Sequence, residues 1–171
     1  MNKTYFINNE IWMLSLMGAF QRANVYRVDA TELKKKHFKG MLKDHFDNIL
    51  QTKYSKAVSE TEHIENIKEV IRLSECSKDL LTNGKLNFGV AQKLLNLYLK
   101  YNWCVDKIPT PPHFPVDSII QKRLGLKVIA WTKMKDEEEY LKIINYAKTQ
   151  LCKHDCKTIA ELELLLFSRN Q

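Results

Sequence analysis

Asn87-Phe88-Gly89-Val90-Ala91-Gln92-Lys93-Leu94-Leu95-Asn96-Leu97-Tyr98-Leu99-Lys100 opens on a glycine turn and continues as a helix. From Gly89 to about residue 102, Val90, Leu94, Leu97 and Tyr101 make one apolar stripe, with Ala91, Leu95, Tyr98 and Leu99 beside it. A helix that is apolar over most of its circumference belongs inside a molecule, so the rest of the chain is expected to pack around this one. Lys93, Asn96 and Lys100 recur at i, i+3 and i+7, on one face. On a buried helix such a polar stripe needs a partner or a cleft. The first helical turn also carries N–H groups that the helix cannot pair internally and that suit a phosphate.

Downstream, Pro109, Pro111, Pro112 and Pro115 cannot all continue a helix. Residues 103–115 therefore read as a loop, stiff and extended at Pro111-Pro112-His113-Phe114-Pro115. This loop sets where Asp117, twenty-four residues after Lys93, begins a second helix in Pro115-Val116-Asp117-Ser118-Ile119-Ile120-Gln121-Lys122-Arg123-Leu124-Gly125. An aspartate in that position is also an ordinary helix cap, and a lysine near a helix start is an ordinary surface residue. The residues alone leave these alternatives standing.

Phe88-Gly89-Val90-Ala91-Gln92-Lys93 with Asn96, followed by Val116 to Gly125, resembles the helix-hairpin-helix DNA glycosylases, the endonuclease III and 8-oxoguanine DNA glycosylase superfamily. The likeness covers roughly residues 80–130. The family's hairpin proline is Phe88 here, and its second glycine is Ala91, which resists positive φ. The long run between lysine and aspartate is nearer to the 8-oxoguanine-type members. The resemblance implies a compact all-α bundle, one helical domain over residues 1–171 with a cleft between helical halves, the hairpin and catalytic segment lying at about 80–125. It implies a base-excision-repair N-glycosylase that removes a damaged or modified base, with lyase cleavage through a lysine Schiff base. Lys93 falls on the catalytic lysine and Asp117 on the catalytic aspartate. DNA phosphate would be held by amides at Gly89, Val90 and Ala91, with Lys85, Asn87 and Gln92 nearby. His113, Phe114, Trp131 and Gln21 are the candidates for the base pocket, although aromatic residues are more often core. The expected partner is double-stranded DNA with a damaged or modified base, bound by a monomer without cofactor or metal. Two other readings stand beside this one: a non-catalytic helix-hairpin-helix DNA-binding protein, and a helical interaction protein whose basic faces only solubilise it.

Composition sets the frame. A chain of 171 residues suffices for a substantial core. With 44% apolar and 27% charged residues it is globular rather than disordered. Few glycines and prolines (5 and 4) favour helix, and a net charge of +7 points to a polyanionic partner. Cys76, Cys104, Cys152 and Cys156 are too irregular for a disulfide framework, and Cys152-Lys153-His154-Asp155-Cys156 lacks the paired spacing of a zinc site. Met1-Asn2-Lys3-Thr4 does not start a signal peptide, and Ile11 to Phe20 is too short to span a bilayer. A cytoplasmic setting is expected, nucleoid-associated if the host is a prokaryote.

Elsewhere, residues 7–26 read as a buried helix whose end gathers Gln21, Arg22 and Asn24, polar groups able to face a pocket. Asp29 is placed to cap a helix over about 30–53, with Lys34, Lys35, Lys36, Lys39 and Lys43 on its polar side. Ser59 to Glu62 reads as a capping box opening a helix to about Cys76. Leu80 and Leu81 read as a short continuation, the hairpin's first helix, broken by Thr82-Asn83-Gly84-Lys85. Leu126 to Trp131 reads as a short strand or irregular. A helix is expected over about 136–153, and a second capping box at Thr158 to Glu161 opens a last helix through Leu166-Phe167.

Overall fold

The side chain of Asn87 accepts a hydrogen bond from the Val90 amide and so starts the central helix, Phe88–Cys104. The structure, a computed structural model, describes residues 2–167, within which this helix is the fourth, α4. Thirteen of its residues are buried, Leu94, Leu95 and Leu99 completely. Each of those leucines contributes about 1.5–3 kcal/mol by leaving water, which makes α4 the axis expected from its pattern. The first helix, α1 (Lys3–Phe20), packs along α4 more extensively than any other pair of elements, and α3 (Glu60–Ser74) is next. Around them lie α2 (Glu32–Thr52), α5 (Ser118–Arg123), α6 (Glu137–Thr149) and α7 (Ile159–Leu166). Three short 3-10 turns occur at Glu75–Ser77, Trp131–Lys133 and Cys152–His154. Among the described residues every regular element is helical, and no helix is long and apolar enough to cross a membrane.

Local side-chain chemistry sets most helix ends. Ser59 caps α3, Asp136 caps α6, and Thr158 with Glu161 forms a complete capping box at α7. Four expectations are corrected. The first helix starts and ends earlier than the expected 7–26, because Asn2 caps it through the Tyr5 amide and the chain leaves it after Phe20, reaching a left-handed Asn24 (φ 49°). Thr31, not Asp29, caps α2; Asp29 is turned to Arg27 instead, 3.1 Å away.

The third correction concerns Leu80 and Leu81, which form no helix. Tyr26 and Leu81 make an antiparallel bridge, Arg27 N donates to Leu80 O at 3.0 Å, and Thr82 N donates to Val25 O at 3.0 Å. With their backbone groups bonded to a segment more than fifty residues away, these leucines cannot also complete a helical ladder. The element before α4 is therefore α3, joined to it through the bridged stretch. Leu126 to Ala130 is irregular, and the expected helix 136–153 ends at Thr149.

Candidate active site

Asp117 holds two neighbours with its two oxygens. Its Oδ1 accepts from the amides of Ile119 (2.9 Å) and Ile120 (3.1 Å), capping α5. Its Oδ2 lies 3.3 Å from Lys93 Nζ. The cap locks the side-chain rotamer and leaves the second oxygen facing the amine, so capping and ion pairing are compatible here. The bland reading of Asp117 as a cap is correct, and incomplete.

Lys93 is one turn inside α4 and only 8% exposed. Its Nζ sits over the Trp131 ring, 4.0 Å from the centroid. Burial pushes the Lys93 pKa down; the Asp117 carboxylate pulls it back up, and Arg22 adds a smaller downward push. The net direction is down, towards free amine. Lys93 and Asp117 line a cavity of about 360 Å³ between α1 and α5, together with Leu14, Met17, Gln21, Arg22, Tyr101, Trp131 and Phe167. Met17, Gln21, Arg22 and Ile119 are exposed at this cavity, so it opens to solvent.

Two buried glutamines fix this arrangement. Gln92, fully buried, accepts from Val116 N (3.1 Å) and donates to Val116 O (2.8 Å) and Gly89 O (3.0 Å). It thus ties the residue before Asp117 to the residue before Lys93. Gln121 accepts from Ile129 N (2.7 Å) and donates to Ile129 O (2.9 Å) and Asp117 O (3.1 Å), anchoring the strap that carries Trp131. Where that strap crosses α4, a Cβ on Gly89 would stand 1.7 Å from the Trp131 carbonyl oxygen. Only glycine admits the strap there.

The same strap overturns the expected phosphate site. Gly89 N donates to Met134 O (3.1 Å), Val90 N to the Asn87 side chain (2.9 Å) and Ala91 N to Asn87 O (3.0 Å). Asn87 Nδ2 is itself spent on Thr132 O. Gly89, Val90, Ala91 and Gln92 are buried. No donor at Gly89 to Ala91 remains for DNA, because Met134 takes the first amide and Asn87 the other two. Lys85 is exposed but bound to Glu75 at 3.1 Å, and does not line the cavity.

The base-pocket candidates divide. Gln21 and Trp131 line the cavity; His113 and Phe114 do not. His113 is fully buried, with Nδ1 2.9 Å from Tyr140 OH and its ring against His63 at 4.8 Å between centroids. Phe114, 2% exposed, is core. Of the polar stripe on α4, Asn96 donates to Gln92 (3.2 Å) and Tyr140 (3.0 Å), while Lys100 forms a buried pair with Glu163 at 2.6 Å. Burial pushes the Glu163 carboxyl up, against the pull of Lys100. Glu163 was not anticipated; an acid between Leu162 and Leu164 in an apolar helix was its only sequence signal. Leu14, Met17 and Phe167, also unanticipated as cavity wall, look in sequence like ordinary core residues.

No family model, curated protein or solved structure matches this chain.

Proposed function

We propose that the chain is a DNA N-glycosylase of the helix-hairpin-helix type with lyase capability, removing a damaged or modified base through Lys93. The observation that carries this reading is the amine of Lys93 and the carboxylate of Asp117, 3.3 Å apart beside a solvent-open cavity. The target nucleotide is turned out of the duplex into that cavity. Asp117 takes the proton from the Lys93 ammonium, and the free amine attacks C1′ of the sugar. The C1′–N bond to the base breaks, its electron pair leaves with the base, and the departing nitrogen takes the proton from Asp117, which is again a carboxylate as positive charge grows on the sugar. Scission of C1′–O4′ then gives an imine to Lys93, with O4′ taking up a proton. Loss of a C2′ proton expels the 3′ phosphate, which is the lyase step.

Burial supports the nucleophile by favouring the neutral amine, and the Asp117 carboxylate supports it by stabilising the positive charge that grows on the sugar. Trp131 offers an aromatic surface and Gln21 a hydrogen-bonding amide at the same cavity. The hairpin amides from which either reading would draw a grip on DNA are bonded within the fold, so it is the amine and carboxylate at the cavity that favour the catalytic one.

Borohydride reduction with a panel of lesion-bearing duplexes tests the reading, since hydride converts the imine to a stable amine link. The expected result is a covalent protein–DNA adduct with at least one lesion, abolished in Lys93→Ala. Binding without adduct across a wide panel would return the chain to the non-catalytic class.

A further inference from the structure

The closed end of α4 leaves open where the molecule would hold a phosphate backbone, and the distribution of basic side chains supplies an answer. Residues 118–135 contain Lys122, Arg123, Lys127, Lys133 and Lys135 and no Asp or Glu. All five cations are exposed. Among the described residues, Lys122, Lys127, Lys133 and Lys135 take part in no ion pair, whereas many other lysines do: Lys43 with Asp47, Lys53 with Glu69, Lys68 with Glu137, Lys85 with Glu75 and Lys148 with Glu60. The acids that bracket the segment are engaged elsewhere. Asp117 is committed to Lys93 and the α5 cap, and Asp136 caps α6 through the Glu138 amide.

The same segment builds one wall of the cavity. Ser118 and Ile119 line it from α5, and Lys122 and Arg123 follow on that face three to four residues on. Trp131 lines it from the 3-10 turn that also carries Lys133. Arg22 also lines it, two residues past the end of α1. The cavity is thus lined by Arg22 and flanked along the chain by the cations of residues 122–135, while the carboxylate on its lining, Asp117, is paired to Lys93.

We infer that residues 122–135 with Arg22 form the phosphate-contacting surface, which grips the DNA backbone on either side of the nucleotide held in the cavity. This inference rests on the proposed function for its partner. It replaces the hairpin amides with side-chain charges, so affinity depends steeply on salt: each phosphate neutralised adds about 0.9 to the slope of log K against log salt.

The test is fluorescence anisotropy on a short undamaged duplex between about 50 and 200 mM salt, where no chemistry takes place. The triple variant K127Q/K133Q/K135Q is expected to lower the slope by about two to three and to weaken binding about a hundredfold at the upper salt. The variant K34Q/K36Q/K39Q, with the same loss of charge from α2, is expected to leave the slope unchanged. Single variants K127Q and K133Q, each lowering the slope by about one, keep the answer available if the triple variant melts early. Equal loss from both triple variants, or an unchanged slope in the first, would overturn the inference. Patch-dependent binding without any borohydride adduct sustains the surface while ending the catalytic reading. No binding by the wild type at low salt ends both.

Discussion

Lys93 is subject to opposed forces, and their balance is measurable. Burial lowers its pKa while Asp117 raises it, and the net direction is down from the usual value near 10.5. Adduct formation is therefore expected to climb with pH and to level off once pH passes the lowered Lys93 pKa, earlier than for a solvated lysine. Asp117→Asn removes the upward pull. Its climb should move to lower pH, while the plateau rate falls by about 10²-fold or more through loss of the acid–base partner. Single-turnover trapping across pH reads both effects; a climb that stays in place would mean the carboxylate and amine are not coupled. The same shift has a thermodynamic sign. Between the lowered pKa and the unfolded value the unfolded chain binds more protons, so this lysine's contribution makes the fold more stable as pH rises through that window. Lys93 and Asp117 were both legible as residues, since each stands at a helix start recognisable from its neighbours. The fate of the Gly89 amide was not, because its acceptor, Met134 O, lies 45 positions away.

Gln92 joins two elements rather than serving within one. Its bonds to Val116 and Gly89 set the height of the α5 entry against the α4 start. Gln92→Met keeps the side-chain volume but leaves the Val116 amide and carbonyl buried without partners, at a cost of about 1–3 kcal/mol for an unsatisfied group. The functional expectation is more discriminating. Gln92→Met should slow adduct formation in the wild-type background and have no further effect on Asp117→Asn, because both act through one carboxylate. A double-mutant cycle on the single-turnover rate measures this; additive losses would show that Gln92 acts elsewhere. Sequence pattern located α4 closely, since its apolar stripes repeat through the helix itself. It misread Leu80 and Leu81 because two leucines suit a helix as well as a bridge, and the choice belonged to Val25 to Arg27.

Across the whole molecule, a buried polar layer lies beside the site. Tyr54 OH meets His63 Nδ1 at 2.7 Å, the His63 ring packs on His113, and His113 reaches Tyr140, to which Asn96 of α4 also donates. Burial pushes the His113 pKa down to about 3 and that of His63 well below its ordinary value. Burial favours the neutral form of both rings, against a smaller upward pull on His63 from Asn96 and Glu60; the Glu60 carboxylate also lies 3.7 Å from His113 Nε2. From about pH 6.5 down to 3 the unfolded chain binds protons that the folded one refuses, so stability falls as pH falls. For His113 alone the loss reaches roughly 4 kcal/mol at the foot of that window. Urea midpoints measured from pH 7 to pH 4 should decline steadily; a flat profile would show that these rings accept protons within the fold.

Sequence by itself determined the helical class, the central place of α4 and most helix starts, because caps and apolar stripes are interactions between residues three or four apart. It also delivered a lysine and an aspartate to two such starts. Tertiary structure alone decided that the two meet at a cavity, that Met134 takes the Gly89 amide beside them, and that His113 and Phe114 are core. Those outcomes depend on hydrogen bonds and packing between segments distant along the chain, where no local periodicity carries the information.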